Sequence, residues 1–148
     1  VPGDPNLWSI AQEELMERMT ESTKSVFDRF GRHICYINVL RNMSVSCDCE
    51  GMAAMPVVTP NIGIVASLDI LAADQASVDL IYALKPEDGH DLVQRMETRH
   101  GLRQLSYMKE LGMGHDRYTL VDIDHDDAPI LPAQAVQDVT AFAPDGQE

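Results

Sequence analysis

Two thiols stand one residue apart at Cys47-Asp48-Cys49, in a stretch with no hydrophobic period. Alternate residues of an extended backbone point the same way, so both sulfurs can face one centre. Thiolates suit zinc, copper(I) and iron–sulfur clusters, and a closed tetrahedral site then needs about two further ligands. Cys35, His33, Asp48 or a residue of a second subunit could supply them. Two other readings of the pair stay open. The thiols could do redox chemistry, or they could pack in a core as small hydrophobes, as free cysteines often do. Cys35, inside a strand-like run, is expected to be buried in the sheet, and His33 to be a surface histidine.

The second constellation is Asp69, Asp74, Gln75 and Asp79. Asp69 precedes an Ala-rich helical stretch and would accept the orphan N–H groups of its first turn. Asp74 and Asp79 interrupt that core-seeking helix on adjoining faces. A buried carboxylate needs a partner or a shifted pKa, so Asp74 is a candidate cation ligand or general acid–base beside the thiol loop. Its alternative, favoured for Asp79, is to face water or cap a loop N–H.

Other motifs read more blandly. Gly112-Met-Gly114 could cradle a phosphate, but it follows a helix instead of opening one, so a C-cap and tight turn is expected. His115-Asp116 and the run Asp122 to Asp127 lack the spacing of a calcium loop and read as solvated and acidic, with adventitious metal binding as the alternative. The eight methionines read as core gap-fillers, with only Met52 and Met55 near the thiols. No P-loop, dinucleotide fingerprint, nucleophile elbow or zincin spacing is present.

The elements that must position these groups follow from period and punctuation. A helix is expected over Ser9–Phe30, with Ser9 and Gln12 as a capping box and Gly31 as its stop. His33–Leu40 and Ile62–Ser67 read as buried strands, separated by a long loop over 41–60. Asp69 caps a helix from about Leu71 to Ala83, and Lys85-Pro-Glu-Asp-Gly89 breaks it. A third helix from about Asp91 to Leu111 has a break near Gly101, and a last strand covers Tyr118–Ile123. This order predicts an α/β fold, a short mixed sheet packed by helices. The 148 residues fit one domain: a lead-in over 1–8, a core over 9–123 and a C-terminal extension over 124–148. Ile130, Leu131, Val136, Val139 and Phe142 should dock that extension on its own domain or on a neighbouring subunit.

A net charge of −13 with 11 basic residues argues against nucleic acid and anionic membrane as partners. No apolar run approaches the roughly 20 residues that span a bilayer. Three cysteines and the lack of a secretory signal point to a reducing, cytoplasmic setting. A first residue other than Met suggests a chain trimmed from something longer.

Four motifs in order, Cys47-Asp-Cys-Glu-Gly51, Ile62-Gly-Ile-Val-Ala-Ser-Leu-Asp69, Ala73-Asp-Gln-Ala-Ser-Val-Asp-Leu80 and Leu111-Gly-Met-Gly114, carry a resemblance. Over about residues 9 to 123 the chain resembles the C-terminal half of the domain of unknown function 362. That resemblance implies an intracellular prokaryotic α/β protein, often joined to a ferredoxin-like module with a pair of four-iron clusters. The cysteine repeats of such a module have no counterpart here. The expected function is an iron–sulfur-associated or metal-binding protein in a redox accessory role. Cys47 and Cys49 would be ligands, Asp48 a ligand or its support, and an iron–sulfur cluster or zinc the cofactor. The alternatives are a small-molecule enzyme using the thiol loop and Asp74, or a non-catalytic self-associating module. The expected partner is a second copy or a missing N-terminal ferredoxin module.

Overall fold

The structure, a computed structural model, describes residues 10–46 and 54–141. Five helices and two small antiparallel sheets make up the described part, a mixed α/β fold. α1 (Gln12–Phe30) carries Glu13 and Glu14 in its first turn, which suits the positive end of the helix dipole. It starts later than a Ser9 capping box requires, with Ala11 at the cap position and no side-chain cap. Gly31 ends it as expected, at φ +56 with its N–H on the Phe27 carbonyl.

β1 (Tyr36–Leu40) pairs antiparallel with β2 (Gly63–Ser67), Asn38 lying opposite Val65 and Val39 opposite Ile64. The strand begins at Tyr36, so Cys35 lies ahead of it and is exposed, not buried in the sheet as expected. One face of the pair is covered: Leu40 and Val65 are buried. On the other, Ile37, Val39 and Ile64 are 62%, 59% and 70% exposed. Apolar residues on both faces predict burial on both sides, yet among the described residues only one side meets a helical layer.

That layer centres on α2 (Ile70–Tyr82), which touches both strands and helices α3, α4 and α5. Ile70, Leu71, Ala73, Ala76, Ser77, Leu80 and Ile81 are all buried along it, a wide inward stripe with Asp74, Gln75 and Asp79 standing between its apolar residues. α3 (Pro86–Thr98) begins inside the segment expected to be a break. Pro86 occupies its first turn, where the missing N–H costs nothing, and Gly89 packs closely on Leu84. The chain breaks again near Gly101 before α4 (Arg103–Glu110). Arg103 there pairs with Glu17 of α1 at 2.6 Å and with Glu110 at 2.6 Å, fixing α4 against α1.

The expected last strand shrinks to β3 (Val121–Asp122), paired with β4 (Ala128–Pro129). A short α5 (Pro132–Ala135) follows, and Val136 is buried. Two clusters form the core. Leu40, Val65, Ala76, Leu80, Leu84 and Val136 make one; Ile70, Leu71, Met108 and Met113 make the other, flanked by Phe27 and Tyr36. Met108 and Met113 thus fill core space, as methionines do. Among the described residues, no helix is long and apolar enough to cross a membrane.

Candidate functional site

The chemistry-bearing residues of the described chain hang on α2, and each reaches a different neighbour. Asp69 sits in extended backbone at the N-cap, and its carboxylate accepts the Ala72 N–H at 3.0 Å. The same carboxylate accepts the His115 backbone N–H at 3.0 Å and the His115 ring Nδ1 at 2.8 Å. The His115 side chain is 85% exposed, so this contact sits at the surface of the turn. Burial pushes the Asp69 carboxyl up, but the bonds from Ala72 and His115 outweigh it and hold it below the usual carboxylate range. Gly114 makes this possible. A Cβ there would stand 2.8 Å from the Asp69 Cγ, so only glycine lets the turn approach the carboxylate. Beside them the Tyr36 hydroxyl is buried with no hydrogen-bond partner among the described residues, and burial together with the Asp69 charge raises its pKa.

Asp74, five residues further on, faces the sheet. It accepts the Asn38 Nδ2 at 2.8 Å, and the same nitrogen donates to Ser77 Oγ at 3.0 Å. Burial raises the Asp74 pKa, against the opposing hydrogen bond from Asn38. Asp74 is therefore a polar anchor between α2 and β1. Asp79, expected to face water or cap a loop, instead accepts Gln75 Nε2 at 2.8 Å and the Tyr118 hydroxyl at 2.6 Å. It ties α2 to the segment before β3, and burial and that carboxylate push the Tyr118 phenol well above its ordinary value. Five residues make well over one turn of helix, so Asp69, Asp74 and Asp79 do not converge on one centre.

Asp74 gives a sharp expectation for stability. Its folded pKa lies above the unfolded value, so the ionised carboxylate weighs against folding above that folded pKa. The penalty fades as pH falls toward the ordinary carboxylate range. Asp74→Asn keeps an acceptor for Asn38, so at neutral pH it should match or exceed the parent in urea unfolding, its advantage vanishing in acid. Asp74→Ala removes that acceptor, leaves the Asn38 amide only its bond to Ser77, and should lose about 1 kcal/mol. Equal destabilisation by both substitutions would contradict this role.

Cys47, Asp48 and Cys49 lie outside the described residues. The chain on either side of them is held: the Met55 N–H donates to Ser46 Oγ at 2.8 Å, and the Ser46 N–H to Ser44 Oγ at 3.0 Å. Val45, Ser46 and Met55 line a hollow with Asp91, Gln94 and Arg95 of α3. Among the described residues no group of three or more His, Cys, Asp or Glu could hold a metal ion. The acidic run beyond Tyr118 is solvated as expected, with His125, 82% exposed, against Asp122 at 2.8 Å. Missed altogether was the Asp69–His115 pair. The two residues are 46 apart, and the one trace in the sequence is the glycine before the histidine.

An antiparallel strand pair on a layer of helices, with polar anchors radiating from one central helix, defines a mixed α/β domain. The family model described as "Domain of unknown function (DUF362)" matches residues 2–79, more than half of the chain. The chain belongs to this family. The match takes in the thiol motif and the Ile62–Asp69 motif; Leu111–Gly114 falls outside it. No curated protein and no solved structure matches the chain.

Proposed function

We propose that the chain is a metal- or iron–sulfur-binding protein with a redox accessory role, in which Cys47 and Cys49 supply thiolates and Asp48 a carboxylate. The observation that carries this is the pairing of two thiols one residue apart, with the Met55 N–H bonded to Ser46 Oγ across them. Anchored ends lower the entropy lost when a loop orders around an ion. A four-iron cluster takes four thiolates, and this chain has three cysteines in all, so a cluster would be shared with a partner. A ferredoxin-type module or a second copy would supply the rest. The uncharged outer face of the strand pair, Ile37, Val39 and Ile64, is where such a partner would seat. A reducing compartment such as the cytoplasm keeps such thiols free.

Elemental analysis and a visible spectrum of anaerobically purified protein test the proposal. Near-stoichiometric iron or zinc is expected, falling by most of its value in Cys47→Ser and in Cys49→Ser. Unchanged metal in both variants sinks it. The same exposed face favours a second reading, a non-catalytic interaction module. Metal-free protein that self-associates by light scattering would select that reading. An enzyme built on Asp74 gains no support, because that carboxylate is turned onto Asn38.

A further inference from the structure

The strand pair leaves one more feature, on the side of β2 away from β1. There the edge residues Gly63, Ile64 and Val65 line an open groove of about 670 Å³. Of β1, only Leu40 at its end shares this lining, so the groove lies along the free edge of β2. Leu40, Ile62, Leu120, Ile130 and Ala135 give the groove an apolar lining. Asp122, Asp124 and Asp138 line it too, and no Lys or Arg does. His125, held by Asp122, is its one basic side chain.

Among the described residues β2 hydrogen-bonds to β1 alone, so its outer edge offers unpaired backbone groups. Such an edge is a template for an added strand, and two strands alone form a marginal sheet. An incoming strand would place alternate side chains on the apolar lining and on the aspartates. The charge says what that strand is. Residues 1–9, 47–53 and 142–148 contain no Lys or Arg, so none of these segments complements the aspartates. A second copy brings a net charge of −13 toward an acidic groove, which disfavours it as well. We infer that the groove between the edge of β2 and the β3–β4 turn binds an extended, basic, alternating apolar segment of another protein by strand addition. This site is separate from the thiol segment and stands whether or not metal binds there.

The probe is a capped nine-residue peptide of alternating Lys and Val, titrated into the full chain by calorimetry and by amide NMR. Binding should shift the amides of Gly63, Ile64 and Val65. A Glu–Val peptide, and a Lys–Val peptide N-methylated at alternate residues, should each bind at least about tenfold more weakly, about 1.4 kcal/mol. The first lacks the charge, and the second keeps the charge but cannot complete a ladder. The double substitution Asp124→Asn with Asp138→Asn should weaken the Lys–Val peptide several-fold. Four outcomes overturn the inference: no binding, equal binding of the N-methylated peptide, equal binding of the acidic peptide, or shifts confined to other surfaces. A dimer that the peptide cannot dissociate assigns the edge to a second copy and overturns it too.

Discussion

Gly114→Ala is expected to destabilise the protein by about 2–4 kcal/mol, the sum of local overpacking and a lost helix cap. The new methyl carbon would sit 2.8 Å from the Asp69 Cγ and 3.0 Å from its Oδ2, so the carboxylate must leave its place. Three interactions go with it: the bond from Ala72 N–H at the start of α2, and the backbone and ring bonds from His115. The backbone adds strain, because φ at Gly114 is +159, a conformation that L side chains rarely adopt. A double-mutant cycle separates these contributions. Asp69→Ala alone should lose about 1–2 kcal/mol through the cap. In that background Gly114→Ala should lose much less, since the clashing carboxylate is gone. Equal losses in both backgrounds, read from urea midpoints, would mean that the turn and the carboxylate do not compete for space.

The pH dependence of Asp69→Ala follows from the same bonds. The folded pKa of Asp69 lies below its unfolded value, so the stability it contributes is present above the ordinary carboxylate range. That contribution is lost as pH falls through the folded pKa. The gap between parent and variant should therefore be full at neutral pH and close in acid, opposite in sign to the effect of Asp74→Asn.

Leu71→Ala is the second large effect, expected to cost about 2–5 kcal/mol. Leu71 is fully buried, one residue into α2, in the cluster with Ile70, Met108 and Met113. Removing its side chain opens a cavity in a cluster walled by Phe27 of α1, Tyr36 of β1 and Leu105 of α4, and those elements cannot close on it without losing their other contacts. Leu68, three residues earlier and 78% exposed, is the control. Leu68→Ala should stay within about 0.5 kcal/mol of the parent. Similar losses at the two positions, by thermal or chemical unfolding, would contradict the placement of the core on α2.

Which parts were legible beforehand follows the range of the interaction. α2 was readable because its cap, its apolar content and its length are local properties: Asp69 at the start and an Ala- and Leu-rich body. The same locality explains Gly31 as the end of α1 and the presence of strands at Tyr36–Leu40 and Gly63–Ser67. Pro86 misled, since proline both breaks helices and opens them, and only the packing of Gly89 on Leu84 shows which applies. Cys35 misled because a strand's edge residues and its interior share one composition.

Of the candidate site, the sequence by itself determined the residue types: two thiols one apart, carboxylates on one helix, and a surplus of negative charge. It also determined family membership, carried by residues 2–79. Tertiary structure alone decided where the carboxylates go. Asp69 meets His115, Asp74 meets Asn38, and Asp79 meets Tyr118, each across 36 residues or more of chain. It alone decided that one edge of β2 opens on a groove with aspartates while the other pairs with β1. The physical reason is one of range. Capping, helical period and turn chemistry act within a few residues, whereas hydrogen bonds between elements depend on how those elements pack, which no local spacing encodes.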